Sequence, residues 1–586
     1  VSYTVSLDAG LKALSDYVSV YEGLSSFYNK NVRDQYERGV APGMTVEPEV
    51  PTELLKKARA YTDTALITIC RFSGEGWDRT SSYDNGVESG EPMWKESQKV
   101  FERGDFYLSD AEQRMVETVK ATFPKVVVVL NVGGVVDSMW FAEDPKIQSV
   151  LMAWQGGIEG GAAAAELLCG IGSPSGKLAD TFAKTLEDYP SSYNFHESQD
   201  YVDYTDDIYV GYRYFETIPG ADKKVVYPFG YGLSYTTFKW ELERVDEAKD
   251  GTLTVRVEVT NTGNHEGKEV LQLYGSAPKG ALDKPSKILL SYAKTKQLQP
   301  GENQLVTLVG NVNDLASYDD LGVLHKSAYV MEQGEYHFYL GNSVRNTEEL
   351  GFIHTEESTR VAEQLTECLA PTSLPKRMRA DGSFEELPVR PAHDPDSEGL
   401  LTKKEKEAID GVAPDVRFSK GEHLWNNNER RMQFEQVAEG SVTLDEFVAQ
   451  LSDEELAHLL GGQPNTGVAN TFGFGNLPEC GIPNFMTADG PAGLRILPEC
   501  GVCTTAWPCA TLLACTWNPE IVYEVGAAGA KEVKENNIAV WLTPAINIHR
   551  TPMCGRNFEY YSEDPYLVAK QAGAMVRGIQ SQHIAA

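Results

Sequence analysis

The first 235 residues alternate short apolar runs with segments of helical periodicity. Apolar runs occupy 65–70, 126–130 and 149–154, and helical patterns occupy 53–62, 110–123 and 160–169. Short continuous apolar strands that alternate with helices are typical of a parallel sheet covered on both faces. The pattern therefore predicts an α/β sandwich domain over residues 1–235.

From residue 253 the hydrophobic period changes to two. Alternating strands occupy 253–260, 270–274 and 336–340, and turns rich in glycine, proline and asparagine separate them. Several short alternating strands of this kind indicate an antiparallel β-sandwich of roughly 100 residues. We place this second domain at residues 236–350.

A polar segment leads into a second region of α/β pattern. Residues 351–440 are interrupted by prolines and charges and predict a linker that runs over a surface. From residue 441, helical patterns at 444–460 and 519–535 alternate with apolar strands at 484–488 and 538–544, and polar residues follow the end of each strand. Active sites of (β/α)8 barrels lie at that end of the strands, but roughly 145 residues are too few for a barrel of about 250. We predict a multidomain α/β protein that ends, over 441–586, in the first half of a barrel.

Charge and hydropathy exclude two classes of protein. The 586 residues carry 85 acidic and 52 basic side chains, which gives a formal charge of −33. A protein that binds nucleic acid needs a basic surface to neutralise phosphates, so this class is excluded. The apolar runs are much shorter than the roughly 20 residues that cross a bilayer, so we expect no membrane-spanning helix.

The cysteines indicate a reducing compartment. There are nine in the chain, an odd number, and they form no short repeating framework. We therefore expect reduced thiols and a cytoplasmic location, with secretion as the alternative because the N-terminus looks incomplete. Cys500 and Cys503 have the spacing of a metal or redox motif, but a single pair is a weak signal and we expect a structural role. The sequence predicts no metal site and no organic cofactor.

The first candidate for chemistry is Glu75, which lies between two glycines directly after the first apolar strand. A carboxylate on such a loop can approach a substrate closely, and the neighbouring Trp77 can shield it from water, as work as a general acid requires. The alternative is an ordinary glycine-rich turn with a solvated Glu75 and an ion pair between Asp78 and Arg79.

Two further candidates follow predicted strands of the last region. Asp489 can accept hydrogen bonds from two hydroxyls of a polyol, and Arg495 can donate to ring hydroxyls or to a carboxylate. The alternative is a tight turn with its usual Asp and Gly. Residues 547–565 concentrate charged and aromatic side chains more than a plain connector does. A knot of ion pairs is the alternative there, with Glu563 and Asp564 as its candidates.

Together these motifs resemble glycoside hydrolase family 3, the β-glucosidase group. The matching sequences are the turns at Glu75 and Asp489 and residues 154–168, 172–178, 210–214, 227–238 and 555–559. The resemblance implies that the second domain is fibronectin type III-like. In most of the family the barrel comes first, whereas here the sandwich and the β-domain precede it, an order that resembles a rearranged subset of bacterial members.

The resemblance implies a retaining, exo-acting β-glucosidase that removes terminal non-reducing β-D-glucosyl residues from oligosaccharides or glucosides. Glu75 matches the family's acid/base. Asp489, Arg495 and Arg556 match residues that bind the sugar, and Trp77 would line the side of the leaving group.

The family's nucleophile cannot be placed in the sequence. It is an Asp in a later Ser-Asp-Trp type segment, which follows a Lys-His pair, and neither motif is found among the 586 residues. We expect a further segment or a second chain to supply it and to complete the barrel, and we expect this chain alone to hydrolyse nothing.

Several alternatives stay open. Within the family they are a β-xylosidase and a β-N-acetylglucosaminidase or phosphorylase-like relative, although the latter typically use a His-Asp dyad and often lack the β-domain. From a different class, the alternative is a non-catalytic sugar-binding relative that kept the fold. A homo-oligomer is compatible with each of these.

Overall fold

The computed structural model describes residues 1–79, 92–198, 201–367, 373–389, 431–464 and 467–586, with the side chains of 92–95 excepted. The fold is multidomain α/β, as the sequence predicts. Residues 368–372 and 390–430 of the predicted linker lie outside the described residues. Among the described residues, no helix is long and apolar enough to span a membrane.

The first domain is built on a parallel sheet of three strands in the order β1-β2-β3. These strands are β1 Thr64–Cys70, β2 Lys125–Asn131 and β3 Ile147–Met152. In the central strand Val126, Val128 and Leu130 are fully buried. Because the strands are parallel, their carboxyl ends meet at one edge, and the loop that carries Glu75 begins there.

Eight helices cover this sheet or lie beside it. They are α1 Leu7–Ala13, α2 Glu22–Glu37, α3 Thr52–Tyr61, α4 Pro92–Val100, α5 Asp110–Thr122, α6 Met139–Ala142, α7 Gly160–Leu168 and α8 Tyr212–Phe215. Helix α5 begins at a capping box, in which the Ser109 side chain accepts from the Glu112 amide and Glu112 accepts from the Ser109 amide. A short antiparallel pair of strands, β4 Phe182–Ala183 and β5 Val225–Tyr227, completes the domain.

The second domain is an antiparallel β-sandwich. Its strands are β6 Phe238–Glu247, β7 Thr252–Asn261, β8 Val270–Ser276, β9 Ile288–Lys294, β10 Asn303–Asn311, β11 Ser317–Asp319, β12 Ala328–Met331, β13 Gly334–Gly341, β14 Thr347–Glu356 and β15 Arg360–Gln364. Two sheets, β10-β7-β6 and β14-β13-β8-β9, pack on a separate core that includes Val257, Leu273 and Phe338. The predicted end at residue 350 lies inside β14, so the pairing continues beyond it.

The described part of the linker returns to the first domain. Strands β16 Lys376–Met378 and β17 Phe384–Glu386 form a hairpin. The amide of Met378 donates to the carbonyl of Thr205 over 2.7 Å, and Arg379 pairs with Asp283 at 3.2 Å. The linker is therefore anchored to both preceding domains before it enters the last region.

The last region contains a parallel pair of strands and six helices among its described residues, and no closed barrel is found there. The helices are α9 Phe434–Ala438, α10 Leu444–Ala449, α11 Asp453–Leu460, α12 Ala510–Cys515, α13 Pro519–Glu535 and α14 Pro565–Gln580. The strands are β18 Phe474–Leu477, β19 Ile482–Phe485, β20 Thr487–Ala488 and β21 Val540–Trp541. Strand β20 pairs with β21 in parallel, whereas β18 and β19 form an antiparallel hairpin.

Two predicted elements of this region are divided. The helix expected over 444–460 is interrupted because Ser452 caps a new helix by accepting from the amide of Glu455. The Glu455 side chain is itself buried against Arg431, so the interruption is fixed by packing. The strand expected over 484–488 is split between β19 and β20, which belong to different sheets.

One buried tryptophan joins all three domains. Trp517 is completely buried in the core that extends from the first domain into the last. Its indole nitrogen donates to the carbonyl of Lys177 over 3.0 Å. Its ring lies 5.3 Å from the ring of Phe229 and 5.1 Å from that of Tyr292, which belong to the first and second domains. The three domains therefore pack directly against one another through apolar side chains.

Lys294 lies at the same junction. Its ammonium group donates to the carbonyls of Ser175 and Thr516, over 3.0 and 2.7 Å. Burial lowers the pKa of Lys294 to about 7, and the positive charges of Lys268 and Lys177 add to the shift. The unfolded chain keeps this lysine protonated up to about pH 10.4. Between these pH values the unfolded state binds more protons, so this residue makes the protein more stable as the pH rises.

We predict that the stability of the wild type relative to Lys294→Met increases between pH 7 and pH 10. Urea unfolding at several pH values measures this difference. Lys296→Met is the matched control, because that lysine is exposed in a surface pair with Glu302. If the difference in unfolding free energy between wild type and Lys294→Met stays constant with pH, the lowered pKa of the buried Lys294 is contradicted.

Candidate active site

Glu75 lies at the tip of a tight turn at the end of the first-domain sheet. The amides of Gly74 and Trp77 each donate to the other residue's carbonyl, over 3.3 and 3.1 Å, and Gly76 adopts a φ of 65°. Glycine takes this left-handed conformation without steric cost. The turn therefore projects the Glu75 side chain into solvent, where it is 73% exposed.

The structure brings Arg556 from the last region to Glu75. An Arg556 guanidinium nitrogen lies 3.2 Å from the Glu75 carboxylate, across 481 residues of sequence. The same guanidinium pairs with the buried carboxylate of Glu559. Burial raises the pKa of Glu559, the Arg556 hydrogen bond opposes the rise, and the charges of Asp489 and Glu75 add to it. Two carboxylates thus pair with one guanidinium.

Asp489 and Arg495 form the other side of this cluster. Strand β20 ends at Ala488, and the Asp489 carboxylate lies 3.0 Å from the guanidinium of Arg495. The Arg495 amide donates to the Asp489 carbonyl over 2.9 Å, which closes the turn between them. Both side chains keep exposed surface, so both can still donate to or accept from a ligand.

Sequence reasoning named Glu559 only as part of a motif. The signal that could have found Glu559 is its position three residues after Arg556, because side chains three apart on one turn of helix can pair. Asn557–Glu559 does form a short helical turn. Glu559 is therefore the residue that fixes the orientation of Arg556 toward Glu75.

Trp77 lies in the Glu75 turn, and its expected contact with the leaving group stays a prediction. Only 8% of Trp77 is exposed, whereas the Glu75 side chain is 73% exposed. Its ring packs edge-on against Phe72 at 5.1 Å, and Phe72 is 50% exposed. Trp77 supports the turn from beneath, and Phe72 is the aromatic side chain with free surface beside it.

The expected ion pair between Asp78 and Arg79 is replaced by contacts to other segments. Arg79 pairs with the buried Asp105 at 3.2 Å and donates to the carbonyl of Pro552 over 3.1 Å. The Asp78 carboxylate accepts from the amide of Gly555 over 2.8 Å. Both residues therefore connect the Glu75 turn to the loop that carries Arg556.

Glu563 and Asp564 have the structural role that their alternative reading predicts. The Glu563 carboxylate accepts from the amide and hydroxyl of Thr181 and from the amide of Tyr212. Asp564 accepts from the hydroxyl of Tyr212 over 2.8 Å and caps helix α14. Both carboxylates are buried between the first domain and the last region, away from solvent.

The cysteines in the described residues are free thiols. Cys480, Cys509 and Cys515 are buried, in agreement with a structural role, whereas Cys500 and Cys503 are exposed. In the part of the chain that the structure describes, no group of three or more His, Cys, Asp or Glu side chains is arranged to hold a metal ion.

Three family models match the chain. Residues 2–235 match the glycosyl hydrolase family 3 C-terminal domain, and residues 476–586 match the glycosyl hydrolase family 3 N terminal domain. Residues 269–344 match a fibronectin type III-like domain. The family's C-terminal domain thus precedes its N-terminal domain here, which confirms the rearranged order.

Similar proteins of known sequence are β-glucosidases. The chain is 55% identical to Beta-glucosidase A of Butyrivibrio fibrisolvens, and the match covers 100% of this chain and 73% of that protein. It is 35% identical to a β-glucosidase of Ruminococcus albus, with coverage of 98% and 57%. The chain therefore spans about three quarters of one relative and little more than half of the other.

Two similar proteins of solved structure are also β-glucosidases. A β-glucosidase of Paenibacillus barengoltzii superposes with a TM-score of 0.83 at 38% identity, and the match covers 100% of this chain and 62% of that one. β-Glucosidase 3B of Thermotoga neapolitana, solved in complex with α-D-glucose, matches 62% of this chain and 48% of its own at a TM-score of 0.52 and 34% identity.

The contact between the two halves of the site depends on Gly555. A Cβ atom there would lie 2.1 Å from the carbonyl oxygen of Trp77 and 2.5 Å from that of Gly74. We predict that Gly555→Ala separates the Glu75 turn from the Arg556 loop and lowers the melting temperature by several degrees, as a change of ~1–3 kcal/mol does.

Gly74→Ala is the matched control for this variant. A Cβ atom at Gly74 meets nothing within 4 Å, so its melting temperature should stay within about 1 °C of the wild type. If thermal unfolding shows that Gly555→Ala and Gly74→Ala lower the melting temperature equally, the tight approach at Gly555 does not hold the site together.

Proposed function

Because the chain belongs to glycoside hydrolase family 3, we propose that it acts as a retaining, exo-acting β-glucosidase on terminal non-reducing β-D-glucosyl residues. The observation that supports this most is the 3.2 Å contact between Glu75 and Arg556. Two domains that are far apart in sequence place a carboxylate and a hydroxyl-binding cation at one exposed cleft. A sugar in that cleft can be bound from one side and protonated from the other.

We propose that Glu75 is the general acid/base. Retaining glycosidases need one carboxyl group that protonates the leaving oxygen and later activates water. Glu75 suits this role because its turn is rigid while its side chain reaches solvent. Its neighbour Arg556 is a cation, and entry of a sugar that takes over the guanidinium hydrogen bond would leave the carboxyl group free to exchange protons.

Asp489, Arg495 and Arg556 are proposed to bind the hydroxyls of the glucosyl residue. Carboxylates accept and guanidinium groups donate two parallel hydrogen bonds, which is the pattern that adjacent sugar hydroxyls match. The ion pair between Asp489 and Arg495 holds these groups in place before the sugar arrives. We propose that Trp77 supports the side of the leaving group indirectly, through Phe72.

The nucleophile is proposed to lie outside these 586 residues. It must stand about 5–5.5 Å from the acid/base and must be free to attack the anomeric carbon. Glu559 is buried against Arg556, and Asp489 is paired with Arg495, so each already has a partner. We propose that a later segment, or a second chain, brings the attacking Asp to the edge of the parallel pair β20-β21.

A glucosyl substrate is favoured over the xylosyl and N-acetylglucosaminyl alternatives because the similar proteins and structures are β-glucosidases. We also propose a cytoplasmic location. It rests on the nine cysteines, whose odd number and irregular spacing do not suit a disulfide-stabilised secreted protein.

We predict that Glu75→Gln lowers kcat/KM for alkyl β-glucosides by about 10²–10⁴-fold, the usual contribution of general acid–base catalysis. The protein assayed should also contain the segment that supplies the nucleophile. The loss should be smaller for p-nitrophenyl β-glucoside, whose leaving group needs less protonation. Azide should restore part of the turnover of Glu75→Ala by replacing the activated water.

Glu166→Gln, at an exposed position on α7, serves as the control and should keep full activity. Turnover of p-nitrophenyl β-glucoside that Glu75→Ala leaves unchanged, with or without azide, would rule out Glu75 as the acid/base. The 586-residue chain by itself is expected to show no turnover in the same assay.

A further inference from the structure

A buried histidine lies between the two domains that form the site. His549 follows strand β21 and is 8% exposed. Its Nδ1 is 2.6 Å from a carboxylate oxygen of Asp180 in the first domain, and its Nε2 is 2.9 Å from the backbone carbonyl of Asn557. Asn557 is the residue directly after Arg556, so this one ring connects the Arg556 loop with the domain that carries Glu75.

The two contacts define where the protons are. A carbonyl oxygen can only accept, so Nε2 must carry a hydrogen. The Asp180 oxygen at Nδ1 also accepts from the amide of Glu563 over 3.2 Å. A hydrogen on Nδ1 as well would make both ring nitrogens donors, one to Asp180 and one to Asn557, which is the arrangement of an imidazolium.

The charges around the ring support this state. Burial by itself lowers the pKa of His549, but the Asp180 carboxylate and the two hydrogen bonds outweigh it, and the pKa is raised. The nearby cations are already paired, Arg79 with Asp105 and Arg550 with Asp206. Among the residues that the structure describes, His549 is then the cation beside Asp180, whose charge also acts on Glu563.

The tyrosines beside the ring do not supply a charge, whereas burial and the charge of Asp180 raise the pKa of Glu563, which lines the same cavity, to about 8. Tyr560 packs against it with ring centroids 6.3 Å apart, and burial raises the pKa of that phenol to about 12. Tyr189 lines the adjacent cavity, and burial raises its pKa further. Both are neutral over the pH range in which an imidazolium loses its proton.

A small cavity adjoins the pair. It has about 20 Å³ of room for water, and its lining includes Asp180, His549, Asn557 and Glu563. The second carboxylate oxygen of Asp180 and the side-chain oxygen of Asn557 are buried and have no hydrogen-bond partner among the described residues. One water has two hydrogens to donate, and a cavity of this size holds one. Such a water would give Asp180 and Asn557 a second connection.

We propose that His549, held as an imidazolium, is a positioning residue that fixes the Arg556 loop against the domain that carries Glu75. Asn557 also accepts from the buried hydroxyl of Thr511, so its carbonyl is held from two directions. Loss of the proton removes the donor to Asp180 and leaves a buried carboxylate without its cation. Arg556 then loses its fixed position relative to Glu75.

The imidazolium can be tested directly by ¹⁵N NMR of the histidines in the 586-residue chain. Below the folded pKa both nitrogens of His549 should carry hydrogens, and the resonances should titrate above the ordinary imidazole value of about 6.5. Because the folded pKa is raised, the stabilisation is complete below about pH 6.5 and is lost as the pH passes the folded value. The unfolding free energy of the wild type relative to His549→Gln should therefore decrease at alkaline pH.

Two variants separate the two donors of His549. His549→Gln places an amide nitrogen near the position of Nε2, and His549→Asn places one near the position of Nδ1, but neither amide titrates. His265→Gln, at an exposed position of the second domain, is the control and should keep the wild-type pH profile. A single protonated nitrogen on His549 at pH 7, or equal pH profiles of wild type and both variants, would overturn the proposal. If the variants do not fold, the wild-type NMR titration still decides.

The consequence for catalysis rests on the proposed β-glucosidase function. In protein that includes the nucleophile segment, His549→Gln should raise KM about tenfold at pH 6.5 with a smaller change in kcat, since it loosens sugar binding through Arg556. The wild type should show the same rise in KM at alkaline pH. An imidazolium seen by NMR without any glucoside turnover would overturn the proposed function alone, whereas turnover with a neutral His549 would overturn the positioning role alone.

Discussion

The site depends on a buried polar seam between the first domain and the loop of residues 547–564. Along this loop the first domain meets the backbone or side chains of His549, Gly555 and Glu563 through hydrogen bonds of 2.6–3.2 Å. An unpaired buried polar group costs about 1–3 kcal/mol, so each bond that is made excludes arrangements in which it is broken. Apolar packing alone would allow the domains to slide, but directional bonds at many points do not. The seam is why Glu75 and Arg556 meet.

This seam also explains why domain order has little influence on the site. The first domain contributes Glu75 and the last contributes Arg556 and Asp489, and their relative position is set by contacts between folded surfaces. Trp517 adds a shared apolar core at the same junction. The described part of the linker is anchored to the first two domains, so it can connect either order of domains without passing through the cleft.

Within the cleft the charges alternate. Arg556 lies between Glu75 and Glu559, and Arg495 pairs with Asp489. Each guanidinium keeps its carboxylates oriented. The buried polar seam that includes His549 lies beneath this layer, and we propose that it fixes the position of the loop that carries Arg556. Binding groups at the surface and positioning groups beneath it are thus separate sets of residues.

The sequence by itself determined the elements whose causes are local. Helix Pro519–Glu535 has the predicted bounds because Asn518 caps it and Pro519 suits its first position. Glu75 and Asp489 were identifiable because each follows a predicted strand in a glycine-containing turn, whereas Arg556 was named only through the resemblance to the family. The break before Ser452, the burial of Trp77 and the partners of Glu563 were decided by tertiary structure. Glu563 meets Thr181 across 382 residues, and a local pattern carries no information about such a partner. Local sequence determines which helices, strands and turns a segment can form. Which polar groups are buried against one another is determined only when the domains pack.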